Sequence, residues 1–193
     1  MRRVLSFLSL IFVLPLAACF DAEMTVAFPD EDNAVGTMVI TATPEFYAMA
    51  TSSGDPFCEG EDAALEDGSH SCTEIVTGTI DEFLADPDMS EGLAIERRDG
   101  GLLYVAFDLS EVTQDVAPPE EEGTDAEQMR QMMMASFIGH KIAINIAGAE
   151  IIETNGTVSD DGTTARFEIP LETLLDSDTE LPDTFNALVK PGT

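Results

Sequence analysis

Any chemistry in this chain has to come from a short set of side chains. Cys58 and Cys72 flank His70, His140 stands far along the chain, and Met129, Met132, Met133 and Met134 crowd one segment. Around them lie 38 Asp and Glu against 8 Lys and Arg. Neither histidine stands in a His-Glu-x-x-His, Gly-x-Ser-x-Gly or Ser-x-x-Lys setting, the spacings that hold a metal or activate a nucleophile. With so many acids, two neighbouring carboxylates carry no information about glycosidase chemistry, and Asp30-Glu31-Asp32 lacks the spacing of a calcium loop. Cys58, His70 and Cys72 match no zinc pattern and no Cys-x-x-Cys redox motif. Thioethers on a helix suit Cu(I), but only Met132 and Met133 follow Met129 at helical spacing, and Met134 points off that stripe. His140 shares strand parity with a row of isoleucines, which reads as a partly buried, hydrogen-bonded histidine at a sheet end. No catalytic residue, metal or cofactor is expected, and the chain does not read as an enzyme. Cys58 and Cys72 read as one disulfide formed in an oxidising compartment.

The N-terminus addresses the chain. Arg2 and Arg3 precede an apolar run from Val4 to Leu16, too short to span a bilayer. It closes on Leu16-Ala17-Ala18-Cys19, which resembles the bacterial lipoprotein signal at all four positions. That resemblance implies a signal peptide over residues 1–18, removed at export, and a lipidated Cys19. Burial of acyl CH₂ groups is worth roughly 0.8 kcal/mol each, so more than one chain gives stable anchoring. The expectation is a periplasmic-side envelope protein whose partner is the membrane, reached through the lipid. Phe20 after the cysteine leaves inner and outer membrane both open. The alternative is an ordinary secretory signal with a chance cysteine.

Charge excludes one class of partner. Removing residues 1–18 takes away two bases and no acid, leaving 6 bases against 38 acids and a formal charge of -32. A nucleic-acid surface needs many Lys and Arg, so no nucleic acid is expected. The same charge repels anionic headgroups, and its self-repulsion fades as salt rises.

Local patterns divide the mature chain into a tether at 19–23, a domain over 24–176 with an acidic disulfide loop at 58–72, and an acidic tail at 177–193. Strands are expected at Thr25–Phe28, Val35–Ala42, Leu93–Arg98, Leu102–Leu109 and Ile138–Ala147, with a hairpin through Asp161-Gly162. Asp99-Gly100 marks the turn between the third and fourth. Thr43-Pro44 and Thr79-Ile80-Asp81-Glu82 open short helices, and Thr124-Asp125-Ala126-Glu127 opens the main one, with Met129, Met132, Met133 and Phe137 as its apolar stripe. These elements predict a single α+β domain, a curved and mostly antiparallel sheet with one main helix and short helices packed on one face.

Residues 142–169 resemble part of the LppM-type domain of bacterial lipoproteins. The match runs through Ala147-Gly148, Glu150 to Asn155-Gly156, Asp160-Asp161-Gly162 and Phe167, with Ala147 where the family has proline and Phe167 where it often has tryptophan. The resemblance implies a sheet and helix around an apolar cavity that binds lipid or another hydrophobe. Met129, Met133, Phe137, Ile142 and Ile144 would line it. The competing reading is a structural or protein-interaction module in which these residues form a solid core and the acidic surface meets partners. Sequence leaves both open.

Overall fold

Alternation of apolar and polar residues builds most of this domain. The computed structural model describes residues 20–52, 54, 56–58, 60–85, 92–110, 137–175 and 181–193. β1 (Phe20–Ala27) turns through Asp30 into β2 (Asn33–Ala42), and the Asp30 carboxylate accepts from the Asp32 and Asn33 amides at 2.9 Å each. Thr43 caps α1 (Pro44–Ala50), accepting from the Phe46 amide, with Pro44 in the first turn. β3 (Glu61–Ala64) and β4 (His70–Thr79) follow, and the capping box closes as expected at α2 (Ile80–Ala85). There the Thr79 amide donates to Glu82 at 2.8 Å and the Glu82 amide to Thr79 at 3.2 Å.

β5 (Leu93–Arg98) and β6 (Leu102–Asp108) form the expected hairpin, with Gly100 and Gly101 at φ 81° and 72°. β7 (Lys141–Ala147), β8 (Glu150–Thr154), β9 (Thr157–Val158) and β10 (Thr164–Pro170) come next. A 3₁₀ turn (Leu171–Leu175) and β11 (Thr184–Lys190) complete the described chain.

The strands form two sheets, ordered β3-β4-β2-β1-β7-β10-β9 and β5-β6-β11-β8. Every pairing is antiparallel except β1 with β7. Val26, Ile144, Ile146, Ala165 and Ile169 of the larger sheet share one core with Leu103, Val105, Phe185, Ala187 and Val189 of the smaller. Ile80 and Phe83 of α2 join it. A second cluster joins Phe137 and Leu171 with Phe20, Ile142 and Leu174.

This corrects the expected curved sheet. Neither sheet is strongly curled. A single sheet must bend to enclose its own core, whereas two sheets share one between their inner faces. The chain changes sheets at Gly148 and again at Gly156. A Cβ at Gly148 would sit 2.6 Å from the Lys190 carbonyl oxygen, and one at Gly156 would sit 2.6 Å from that of Arg166. Only glycine allows backbones this close.

Three local expectations also move. Pairing reaches back to Phe20, opposite Ala42, ahead of the expected domain start at Met24. β7 starts at Lys141, because Phe137–His140 form a turn with Gly139 at φ 85°. The expected acidic tail holds β11, whose Phe185, Ala187 and Val189 are fully buried between β6 and β8. The main helix, opening at Thr124, lies outside the described residues apart from its last stripe position, Phe137.

Candidate functional site

Strand register assembles a polar site on the outer face of the larger sheet. Residues of β1, β7 and β10 that alternate with the core positions line up in rows: Thr25 with Asn145 and Arg166, and Glu23 with Ala143 and Glu168. Asn145 is 3% exposed although it faces away from the core. Its amide nitrogen donates to Glu23 at 2.9 Å and to the Thr25 hydroxyl at 3.1 Å, and its oxygen accepts from Arg166 at 3.1 Å. Arg166 also donates to Glu23 at 3.1 Å and, through Nε, to Glu168 at 2.9 Å. Lys141 Nζ reaches the same Glu168 oxygen at 2.6 Å.

Two cations thus face two carboxylates, and the site is charge-balanced in a strongly acidic protein. Lys141, and then Arg166, hold the Glu168 carboxyl below its ordinary range. Burial works against the charged Arg166 guanidinium, but its bonds to Glu168 and Glu23 outweigh that and raise its pKa. Beside the network is an open recess of about 440 Å³, bordered by Glu23, Thr25, Asn145, Thr157, Val158 and Arg166. Its groups are hydrogen-bond donors and acceptors already held in place. Such a surface suits binding a polar ligand better than transferring a proton, because both carboxylates are committed to cations.

A second constellation stands beside the disulfide. Cys58 and Cys72 are bonded, with Cα atoms 6.0 Å apart, as the sequence led us to expect. His70 Nδ1 lies 2.9 Å from one Asp62 oxygen, and the Tyr47 hydroxyl donates to the other at 3.0 Å. The Tyr47 ring stacks on His70 at 3.4 Å between centroids, and Phe57 meets Tyr47 edge-on at 5.3 Å. Hydrogen bonds from His70, and secondarily from Tyr47, hold the Asp62 carboxyl below its ordinary value. The bond to Asp62 pushes the Tyr47 phenol up.

An aspartate orienting a histidine is half of a nucleophile-activating arrangement. Among the described residues no serine, threonine or cysteine side chain bonds to His70 to supply the other half. Here the contacts fasten α1 to the β3–β4 hairpin. Glu74 lies close to both sulfurs, but sulfurs bonded to one another are not thiolate ligands for a metal.

The remaining candidates fall as follows. Phe137 and Ile144 are 2% and 1% exposed, and Ile142 packs against both core clusters. Cys19, Met129, Met132, Met133 and Met134 lie outside the described residues. His140 is partly buried, 3.5 Å from an Asp21 oxygen, too far for its Nδ1 to count as hydrogen-bonded. Sequence reasoning placed Asn145 and Lys141 on the face opposite the isoleucines but did not find Arg166, Glu23, Tyr47 or Asp62 as site residues. Arg166 did carry a signal. It is one of few bases in the mature chain, set in a strand between Ala165 and Phe167.

No protein-family model matches this chain, and no curated relative does. Among solved structures, the chain is similar to the folded domain of the Mycobacterium tuberculosis LppM protein, determined by NMR. The two are 14% identical over 91% of each chain, with a TM-score of 0.45. A likeness of that size fixes neither family nor function.

Proposed function

We propose that this chain is an exported envelope protein, held to a bilayer by lipid on Cys19, that works there as a binding or assembly module and not by catalysis. The observation that carries this reading is Leu16-Ala17-Ala18-Cys19 at the end of a basic and then apolar leader. The Cys58–Cys72 bond agrees with export, since such bonds persist in oxidising compartments. Metabolic labelling with palmitate tests the anchor. Label should enter the wild-type chain and be lost in Cys19→Ala, with the variant released from the membrane fraction. An unlabelled wild-type chain found free in the periplasm would overturn it.

Two ligand readings follow, each with its own support. In the first, a hydrophobic ligand lies against Met129, Met133, Phe137, Ile142 and Ile144. It is supported by Phe137, the last position of the methionine stripe, which packs with Ile142 and Phe20 on the inner face of the larger sheet. In the second, the module meets polar partners on its surface. It is supported by the charge-balanced recess around Asn145 and Arg166. Native mass spectrometry of the full chain, extracted from membranes in mild detergent, separates them. A co-purifying lipid lost only on denaturation selects the first. A chain that carries none and takes up none when offered phospholipid selects the second.

A further inference from the structure

We infer that the end of the domain carrying Phe20, Ala42 and His70 rests on the bilayer surface, with Ile138 and Leu65 entering the headgroup layer. This rests on the proposed lipid at Cys19. If that residue is lipidated, the structure leaves almost no slack, because β1 is fully paired from Phe20, the very next residue. One peptide step is about 3.8 Å. The edge of the larger sheet is therefore held against the membrane, not suspended from a flexible linker.

Register identifies what lies on that edge. Phe20 pairs with Ala42, Ala42 with His70, and His70 with Ala64, so one row across four strands marks the end nearest Cys19. Just past it come α1 after Ala42 and the β3–β4 turn at Leu65. The Phe137–His140 turn belongs to the same end, since the Lys141 amide donates to Asp21 at 2.9 Å and Phe137 packs with Phe20. Ile138, at that turn's tip beside Gly139, is 67% exposed, and Leu65 is 42% exposed. Large apolar side chains at turn tips are costly in water and favourable at a membrane interface. Glu45, Glu66 and Asp67 share the rim, so it suits zwitterionic rather than anionic headgroups.

The chain has no tryptophan, so one introduced at an exposed site reports alone. Three full-length variants, Ile138→Trp, Glu31→Trp and Ile75→Trp, are reconstituted in phosphatidylcholine vesicles with brominated acyl chains. Glu31 lies at the far end of β1, and Ile75, 63% exposed, lies on the flank of the sheet. The expected result is blue-shifted, quenched emission for the probe at 138, with no quenching at 31 or 75. Vesicles that float with bound protein but leave the probe at 138 unquenched, or quench 75 instead, overturn the orientation and leave the anchor standing. Protein that does not float with vesicles overturns the anchor and this inference with it.

Discussion

At the scale of single residues, Asn145 carries the outer-face network. It is almost completely buried and shares bonds with Glu23, Thr25 and Arg166. Replacing it with alanine strands those partners in a poorly hydrated site, which costs about 1–3 kcal/mol. Urea denaturation should show Asn145→Ala losing that amount, while Thr157→Ala, an exposed neighbour, changes little. Asp62 gives a pH signature. Its carboxyl titrates below the ordinary value of 3.8 because His70, and then Tyr47, stabilise the ionised form. A depressed folded-state pKa means that the stabilisation is complete above the unfolded value and is lost as pH falls through the folded one. Acid titration of the whole protein also relieves its self-repulsion, so the informative quantity is the difference between wild type and Asp62→Asn. That difference should be constant above about pH 5 and shrink below about pH 4, as read by thermal melts. A difference that grows toward acid would contradict the assignment. Parity along β7 was readable from sequence and put Asn145 opposite Ile144 and Ile146. Its partners were not, because Glu23 and Arg166 come together only through registers spanning 143 positions.

At the scale of elements, the disulfide and the sheet-switching glycines make separate predictions. The Cys58–Cys72 bond closes a separation of 14 residues and holds the β3–β4 hairpin, whose β3 is exposed throughout. Loop-closure entropy for such a loop is worth roughly 3 kcal/mol. Reduction should lower the urea midpoint and speed amide exchange in β3 first, leaving β6 and β11 protected. Equal exchange increases across both sheets would contradict a local staple. Gly156→Ala places a methyl against the Arg166 carbonyl and the Phe185 ring, so it should destabilise by about 1–3 kcal/mol. Hairpins and caps were legible because their signals are local: Asp99-Gly100, Asp161-Gly162, Thr43-Pro44 and Thr79 to Glu82 all appear where the residues indicated. β11 was hidden because the acids from Asp176 to Asp183 outweighed five alternating residues, Phe185 to Val189. Which strands share a sheet was hidden too, since period-2 alternation reads the same in either sheet, and the parallel β1–β7 pairing has no local signature.

At the scale of the whole molecule, charge and anchoring dominate. A mature chain at -32 repels itself, and the Debye length shrinks from about 10 Å near 0.1 M salt to about 3 Å near 1 M. Melting temperature should therefore rise with sodium chloride across that range, well beyond the rise for Asn145→Ala relative to its own low-salt value if the outer network, which salt screens, contributes in the opposite sense. The same charge makes a lipid anchor, not a basic surface, the natural means of holding this protein at a membrane. The most direct test of that central claim is the intact mass of the protein extracted from the membranes of cells expressing the full chain. The predicted species begins at Cys19, carries a diacylglyceryl group on that residue, and lacks two hydrogens for the Cys58–Cys72 bond. A mass matching unlipidated protein, cleaved at any position or retaining residues 1–18, would contradict it.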